Sequence, residues 1–268
     1  MFKVFIDGSA GTTGLRIREM LERRADVSLV TLPEALRKDI SARKDALNGA
    51  DVAFLCLPDH AAREAAALVE NERTIVIDAS TAHRTSPGWA YGFPELSARH
   101  RAAIANGRRI ANPGCYASGF IALVYPLVAG GVAAPGYPFF WPPGSGYLGA
   151  GERGVAEYEA ADRPMQYDTP RLYALTQQHK HLPEMTAVCG LTRTPMFDPY
   201  VCDYYCGMTV TVPLFADLLA KRVTAADVKE LLTAHYAGQR FVAVAQEDGY
   251  IAANTLSGTN RMELLVNG

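Results

Sequence analysis

One cysteine occupies a position that suits a reactive thiol. Asn112-Pro113-Gly114-Cys115 precedes the apolar stretch Phe120–Val128, which predicts Cys115 at or near the N-terminus of a helix. There the helix dipole and the open backbone N–H groups favour a thiolate and can hold an oxyanion. Asn112 offers an additional side-chain donor. The pattern favours nucleophilic catalysis at Cys115, with a small buried side chain as the alternative.

Two histidines are the densest candidates for proton transfer. Residues 179–184 read His-Lys-His-Leu-Pro-Glu, and the proline predicts a helix that begins there, with both rings in the loop at its start. His179, His181 and Glu184 also have the side chains of a metal site. No further pair of ligands has the spacing that zinc needs, so we expect no metal.

Three glycines follow the first apolar run. Gly8, Gly11 and Gly14 form a G-x-x-G-x-x-G turn directly after a predicted strand and before an amphipathic helix. Open backbone N–H groups and the helix dipole at such a turn favour a dinucleotide phosphate. A tight turn that only packs the helix against the sheet is the alternative. The predicted cofactor-binding residues of the turn are Gly8, Gly11, Thr12, Thr13 and Gly14.

The segment after the second predicted strand bears on the choice of dinucleotide. Val27–Leu32 ends without the acidic residue that would bind a ribose 2′-hydroxyl, and Arg37 and Lys38 follow shortly after. This pattern favours NADP over NAD, with a solvated basic loop as the alternative.

The elements that must position these residues change character along the chain. In the first half, short strand-like runs alternate with helix-length segments, which is typical of a Rossmann-type, doubly wound parallel sheet of the α/β class. Ligands bind at the carboxyl ends of such strands, so the loops after Ile6, Leu57 and Asp78 should surround one crevice. The predicted strands are Phe2–Ile6, Val27–Leu32, Asp51–Leu57 and Thr74–Asp78, and the helices include Thr13–Arg23 and His60–Glu70.

The second half indicates a domain of mixed strands and helices. Longer β-type runs appear at Tyr204–Leu214 and Phe241–Gln246, and a helix is predicted from Thr224, where Thr-Ala-Ala-Asp resembles a capping box. We therefore expect a cofactor domain at residues 1–114 and a catalytic domain at residues 115–268.

Composition narrows the class of partner. The 268 residues carry 26 basic and 28 acidic side chains, for a net charge of −2, without a long run of either sign. This excludes the electrostatic signature of nucleic-acid or membrane binding and favours a small-molecule partner. Five cysteines, an odd number, suit reduced thiols, and we find neither a signal core nor 18 consecutive apolar residues. A cytoplasmic protein is expected.

The cysteine segment resembles that of a known family. Residues 110–126, Ile-Ala-Asn-Pro-Gly-Cys-Tyr-Ala-Ser-Gly-Phe-Ile-Ala-Leu-Val-Tyr-Pro, are similar to the active-site signature of the N-acetyl-γ-glutamyl-phosphate reductases, most closely their shorter form. Ser118 stands where the family usually has Thr, and Leu123 where a small residue is usual.

Other segments of this sequence also resemble segments of the family and occur in the family's order, so the resemblance spans essentially the whole chain. It implies a catalytic domain of the semialdehyde-dehydrogenase type, cofactor contacts at Pro58 and Ser80, and a substrate loop with Ser145 and Gly146. The similar blocks are Gly8–Gly14, Leu55–Pro58, Asp78–Ser80, Ala82–Glu95, Gly144–Gly151 and His179–Glu184.

The resemblance also implies a reaction. Cys115 would attack the acyl phosphate of N-acetylglutamyl 5-phosphate and release inorganic phosphate, and NADPH would reduce the thioester to the semialdehyde, a step of arginine biosynthesis. His179 would shuttle the proton, while His181, Glu184 and Arg84 would contact substrate. The motif does not separate the two histidines, and a surface arginine is the alternative for Arg84. A homodimer or homotetramer is expected.

The end of the sequence departs from the family pattern. In the family, the chain continues past the strand that corresponds to Arg261–Val266 into a further strand and a glycine-rich helix that returns to the cofactor domain. This sequence stops at Gly268. We expect that the corresponding residues are missing from it, because a sheet with an uncovered apolar face would be poorly soluble; a shortened form is the alternative.

Three other functions stay open on the sequence alone. An aspartate-semialdehyde dehydrogenase would share fold, chemistry and cofactor. A cysteine hydrolase or acyltransferase would use the glycine turn only structurally and would not bind NADPH. A dinucleotide-sensing protein would bind without turnover, but it leaves the placement of the cysteine and the histidines unexplained.

Overall fold

Short runs rich in Val, Ile and Leu form a parallel sheet in the first half of the chain. Its six strands are hydrogen-bonded in the order β2-β1-β3-β4-β6-β5, and every neighbouring pair is parallel. The strands are β1 (Phe2–Asp7), β2 (Val27–Val30), β3 (Val52–Leu55), β4 (Ile75–Asp78), β5 (Ala90–Tyr91) and β6 (Arg109–Ala111).

The computed structural model describes residues 1–245 and 249–268, apart from the side chain of Thr12. The chain divides into two compact units, Met1–Pro113 and Gly114–Gly268. Within the described residues, no helix has both the length and the apolar character needed to cross a membrane.

Helices that alternate with these strands cover the sheet of the first unit. The helices are α1 (Thr12–Glu22), α2 (Ile40–Gly49), α3 (Asp59–Leu68) and α4 (Ala98–Asn106). Leu47 from α2, Leu55 from β3 and Val76 from β4 are completely buried in one core cluster. Both the parallel order and the buried strands match the predicted doubly wound α/β sheet, which is confirmed.

The strand order creates a crevice at one edge of this sheet. Strand β1 lies between β2 and β3, so the strands that follow it along the chain are placed on opposite sides of it. In such sheets the carboxyl ends of the strands at this reversal bind ligands. The glycine turn follows β1 at this position, and Cys56 follows β3.

A buried ion pair fixes the carboxyl end of β1. The Arg43 guanidinium on α2 donates from Nε and Nη2 to Asp7 Oδ2, at 3.2 and 2.8 Å. The two side chains are only 12% and 6% exposed. This pair ties α2 to the residue that immediately precedes Gly8.

The described residues of the second unit form eight short strands in three small sheets. A parallel pair joins β7 to β10, a mixed sheet has the order β12-β8-β11-β9, and a parallel pair joins β13 to β14. The strands are β7 (Phe140–Trp141), β8 (Gly144–Gly146), β9 (Arg171–Leu172), β10 (Met196–Phe197), β11 (Tyr200–Cys202), β12 (Met208–Thr209), β13 (Val242–Val244) and β14 (Met262–Leu264).

A long apolar helix forms the centre of this unit. The helices are α5 (Cys115–Ala129), α6 (Gly151–Glu159), α7 (Leu182–Val188) and α8 (Ala225–His235). Phe120 and Val124 of α5 are completely buried, and the Phe120 ring lies 5.2 Å from that of Trp141. Tyr236, at the end of α8, donates from its hydroxyl to the Ala122 carbonyl at 2.7 Å.

Two sequence predictions in this unit have different outcomes. The helix after Thr224 is confirmed, with reciprocal capping bonds between Thr224 and Asp227. The predicted strand Tyr204–Leu214 is wrong, because strand pairing within it is confined to the two residues of β12. A turn bond from Tyr204 N–H to the Cys202 carbonyl and a φ of +126° at Gly207 break its first half, and Pro213 lacks an N–H.

The predicted strand Phe241–Gln246 is shorter in the structure. Strand β13 covers its centre, and Gln246 lies outside the described residues.

Removing the cation from the Asp7–Arg43 pair should destabilise the chain. Because an unpaired buried carboxylate is costly, we expect Arg43→Met to lower the free energy of unfolding by about 3 kcal/mol in a urea titration. Arg24 provides the matched control, since it pairs with Asp26 at 2.6 Å on the surface. Arg24→Met should leave the titration unchanged, and equal losses in the two variants would contradict this interpretation.

Candidate active site

The glycine turn is shaped by close approaches of the backbone. Gly8 has a φ of +86°, and a Cβ atom there would lie 2.2 Å from the Cys56 carbonyl oxygen. A Cβ atom at Gly14 would lie 2.3 Å from the Gly8 carbonyl oxygen. Only glycine fits at either position, so the turn brings backbone without side chains to the start of α1. The N-cap residue of this helix is Gly11, so no side-chain hydrogen bond caps it. This is a cradle of the kind that holds a dinucleotide phosphate.

A second cluster is centred on Asp78, at the end of β4. Its carboxylate is completely buried and accepts hydrogen bonds from the Ser80 backbone N–H at 2.9 Å and the Ser80 hydroxyl at 2.8 Å. His83 Nδ1 lies 2.6 Å from Asp78 Oδ2, and the His83 ring stacks on Trp89 at 3.9 Å. The loop that contains Ser80 is therefore held from both sides.

The other predicted cofactor-binding residues of the first unit lie at the starts of two helices and in the segment after β2. Pro58 is the N-terminal cap of α3, and Thr13 is an exposed residue in the first turn of α1. Arg37 pairs with Glu34 at 2.7 Å, in the segment between β2 and α2, and the next residue, Lys38, is exposed.

The Arg84 side chain is hydrogen-bonded to the backbone of Asn112. Arg84 Nε donates to the Asn112 carbonyl at 2.9 Å, and the Asn112 side chain donates to the Pro113 carbonyl at 3.2 Å. The Asn112 N–H donates to the Asp78 carbonyl at 2.7 Å. These bonds attach the segment just before Cys115 in the sequence to the Asp78 loop.

Cys115 is the first residue of α5 and its side chain is exposed. The cap residue, Gly114, provides no side-chain hydrogen bond, and the first turn has no acidic residue. The helix dipole and the N–H groups of the first turn therefore act on the thiol without competition from a carboxylate in that turn.

The environments of three other cysteines disfavour a thiolate. Burial, followed by the charges of Asp78 and Asp7, raises the pKa of the Cys56 thiol to about 12. Burial also raises the pKa of Cys189 and of Cys202. All five cysteines lie in the described residues and none is in a disulfide.

Two side chains converge on Gly114, next to the candidate nucleophile. Glu184 Oε2 accepts a hydrogen bond from the Gly114 N–H at 3.1 Å, and this carboxylate is only 1% exposed. A Cβ atom at Gly114 would lie 2.5 Å from both Glu184 Oε1 and His181 Nε2. Gly114 is therefore the gap into which the imidazole and the carboxylate fit.

His179 lies beside this pair and is half-buried. Its Nδ1 accepts the His181 backbone N–H at 3.2 Å, so the neutral ring carries its proton on Nε2. The ring contacts His181, at 4.6 Å between centroids, and Phe197, at 4.9 Å. As predicted, His179 precedes α7 and His181 forms its N-terminal cap, with a proline in the first turn.

Two tyrosines complete the polar groups near Cys115. The Tyr116 hydroxyl donates to the Tyr200 carbonyl at 2.7 Å and also interacts with Ser145 and Tyr173. Burial raises the pKa of Tyr173, and the nearby Cys115 charge adds to that rise. Tyr173 was not predicted from the sequence, because no motif marks an isolated tyrosine after a two-residue strand.

The structure connects most of the predicted catalytic and substrate-binding residues of the second unit. His181 and Glu184 contact Gly114, which precedes Cys115; His179 contacts His181, and Ser145 interacts with the hydroxyl of Tyr116, the residue after Cys115. Strand β8 carries Ser145 at its centre, paired on both sides, and Gly146 at its end, where a Cβ atom would lie 2.4 Å from the Tyr204 carbonyl oxygen. Within the described residues, no group of three or more His, Cys, Asp and Glu side chains is arranged to hold a metal ion.

Known proteins are similar to this sequence over nearly its full length. The sequence profile of the semialdehyde dehydrogenase dimerisation domain matches residues 115–268, and that of the semialdehyde dehydrogenase NAD binding domain matches residues 33–105. The N-acetyl-gamma-glutamyl-phosphate reductase of Sinorhizobium medicae is 45% identical over 273 residues, which cover 99% of this chain and 88% of the relative. The chain belongs to the N-acetyl-gamma-glutamyl-phosphate reductase family. This confirms the resemblance found in the sequence.

Further relatives agree with this membership. A reductase of the same name from Burkholderia lata is 45% identical over 270 residues, covering 97% of this chain and 84% of the relative. Among solved structures, aspartate semialdehyde dehydrogenase from Francisella tularensis has a TM-score of 0.68 at 15% identity and covers 99% of this chain and 90% of its own. That likeness shows the fold, which is again the α/β fold of the family.

Adding a methyl group at Gly8 should weaken dinucleotide binding. The positive φ and the 2.2 Å approach to the Cys56 carbonyl force the backbone of the turn to shift in Gly8→Ala. We expect the Kd for NADPH, measured by its fluorescence on titration, to rise about tenfold or more. Gly49→Ala is the control, because a Cβ atom there meets nothing within 4 Å. Unchanged affinity in Gly8→Ala would contradict the assignment of the turn.

A methyl group at Gly114 should destabilise the second unit. It would displace the buried ends of His181 and Glu184, so we expect Gly114→Ala to lower the free energy of unfolding by about 2 kcal/mol. At Gly149 a Cβ atom makes only an ordinary contact, 3.5 Å from Ser145 Oγ, which makes Gly149→Ala the control. Thermal unfolding of both variants measures the effect, and Gly149→Ala should unfold at the wild-type temperature. Equal loss of stability in the two variants would contradict the prediction.

Proposed function

We propose that this chain catalyses the NADPH-dependent reductive dephosphorylation of N-acetyl-L-glutamyl 5-phosphate to N-acetyl-L-glutamate 5-semialdehyde, in arginine biosynthesis. The observation that carries the proposal is the exposed Cys115 thiol at the start of α5, with His179, His181 and Glu184 around it, in a member of this reductase family. Released inorganic phosphate is the second product.

Cys115 serves as the nucleophile. Its thiolate attacks the acyl carbon, a carbon–sulfur bond forms, and the carbon–oxygen bond to phosphate breaks, so phosphate leaves with the electron pair. The backbone N–H groups of the first turn of α5 stabilise the oxyanion in this step. Asn112, three residues earlier in the sequence, is the proposed additional donor. A thioester on Cys115 results.

The glycine turn fits a nicotinamide dinucleotide. The close backbone approaches at Gly8 and Gly14 leave no side chain over the start of α1, and Ser80 is held by Asp78 at the end of β4. Bound NADPH supplies the hydride that reduces the thioester. The proposed contacts in this unit are Gly8, Gly11, Thr12, Thr13, Gly14, Arg37, Lys38, Pro58 and Ser80.

His179 is the proposed acid and base. Its neutral ring holds a proton at Nε2, because Nδ1 accepts the His181 N–H. The Nε2 proton is shared with the oxygen of the tetrahedral carbon on Cys115, which stabilises the negative charge there without leaving an imidazolate, and it returns fully to Nε2 as the carbon–sulfur bond breaks and the aldehyde forms. The proposed substrate contacts are His181, Glu184, Ser145, Gly146 and Arg84. The buried Glu184 carboxylate also accepts the Gly114 N–H and so holds the backbone next to Cys115.

The chain is proposed to act as a homodimer or homotetramer in the cytoplasm. Residues 115–268 match a domain described as a dimerisation domain. Five cysteines without a disulfide suit a reducing compartment.

Aspartate-semialdehyde dehydrogenase is the second candidate function. The solved structures with this fold include enzymes of that name, one of them, from Candida albicans, solved with NADP. Their identity to this chain is only 15–16%, whereas the relatives named N-acetyl-gamma-glutamyl-phosphate reductase reach 46%. The N-acetylated substrate is therefore favoured.

The reverse reaction tests substrate, cofactor and nucleophile together. We expect phosphate-dependent reduction of NADP by N-acetylglutamate 5-semialdehyde, and a fall of about 10³-fold or more in kcat/KM for Cys115→Ala, since the thioester no longer forms. Cys206→Ala is the control, because it removes a thiol that has no proposed role. Oxidation of aspartate semialdehyde in preference to the N-acetylated substrate would overturn the proposal.

A further inference from the structure

The loop that carries His179 contains two residues in an unfavourable backbone conformation. Ala174 has a φ of +56° and Gln177 a φ of +55°, and these are the non-glycine residues with positive φ in the described part of the chain. Both lie between Tyr173 and His179. Left-handed backbone at non-glycine residues persists only where the surrounding structure holds it, and it is concentrated at functional sites.

The side chain of Gln177 holds this loop in place. Its Nε2 donates to the Phe197 carbonyl at 2.8 Å, and its Oε1 accepts the Phe197 N–H at 2.9 Å. Nε2 also donates to Asp198 Oδ1 at 2.9 Å. One amide thus satisfies both backbone groups of a residue at the end of β10, as a neighbouring strand would.

Phe197 also contacts the catalytic ring directly. Its side chain is only 1% exposed and lies 4.9 Å from the His179 ring, between centroids. On its other sides it stacks on Trp141 at 4.5 Å and meets Tyr116 edge-on at 5.6 Å. Phe197, to which Gln177 is hydrogen-bonded, is therefore held in the core of the unit and provides a fixed packing surface for the His179 ring.

We propose that Gln177 is a positioning residue, which fixes the His179 ring for proton transfer by clamping its loop to Phe197. This proposal rests on the proposed function, in which His179 is the acid and base. The clamp acts through His179 and not through Cys115, whose position depends on α5 and Gly114.

The clamp requires both the length and the two ends of a glutamine side chain. Glutamate retains the acceptor but loses the donor, and it would place a charge beside Asp198. Asparagine tolerates left-handed backbone better, but its amide falls one methylene short of Phe197. Methionine keeps the length and loses all three hydrogen bonds. These variants separate the effect of the clamp from the effect of backbone strain.

The first experiment compares Gln177→Met and Gln177→Asn with the wild-type chain in the reverse reaction. A loosened His179 should lower kcat about 10- to 100-fold in both variants, with little change in KM for NADP. Gln178→Met is the matched control, since Gln178 is the same residue type one position later and makes none of these three bonds. Wild-type kcat in Gln177→Asn would overturn the proposal, because strain and not the clamp would then matter.

A double-mutant cycle with His179 gives a result that a merely structural role would not. Gln177→Met should lower kcat in the wild-type background and leave it unchanged in the His179→Ala background, assayed at proportionately higher enzyme concentration. Equal losses in both backgrounds would overturn the proposal. An active wild-type chain with an unaffected Gln177→Met overturns this proposal alone, whereas an inactive wild-type chain overturns the proposed function and this proposal with it.

Discussion

The absence of a side chain at Gly114 is the constraint on which the rest of the candidate site depends. Space next to the N-terminus of α5 is occupied by the Glu184 carboxylate and the His181 imidazole. Both fit there only because Gly114 has no Cβ atom. Burying Glu184 requires a hydrogen-bonded partner, and the Gly114 N–H provides one. A loop 70 residues further along the chain is thereby attached to the residue next to the thiol.

Burial distinguishes Cys56, Cys189 and Cys202 from the exposed Cys115 more clearly than sequence spacing does. Cys56 and Cys189 have apolar or anionic surroundings that oppose a thiolate, while Cys115 is exposed at a helix N-terminus whose first turn lacks an acidic residue. The proposed nucleophile, Cys115, thus differs from these cysteines in the groups that its surroundings lack as well as in those that they supply. The glycine turn follows the same rule, because Gly8 and Gly14 allow close backbone approaches at the proposed phosphate site by lacking side chains.

The elements that could be predicted from sequence are those that depend on local chemistry. The parallel strands, the helix that begins at Cys115 and the capping box at Thr224 follow from apolar periodicity, a Pro-Gly turn and a Thr-Asp pair. The prediction of a strand at Tyr204–Leu214 was wrong because its apolar pattern suits a strand, whereas the chain turns at Tyr204, close to Gly146, and has a positive φ at Gly207, close to the Ala253 carbonyl. Partners distant in sequence, such as Arg43 for Asp7, left no local signal.

Tyr173 and Gln177 show why the candidate site was only partly predictable. Neither belongs to a motif, and each matters through a contact that forms after the chain has folded, with Tyr116 in one case and with Phe197 in the other. The loop between them has two residues at positive φ, which no residue type in Ala-Leu-Thr-Gln announces. Such a conformation is unfavourable locally and is offset by contacts elsewhere, here the three hydrogen bonds of one amide and the packed ring of Phe197. The histidine that a motif makes visible therefore depends for its orientation on neighbours that no motif reveals.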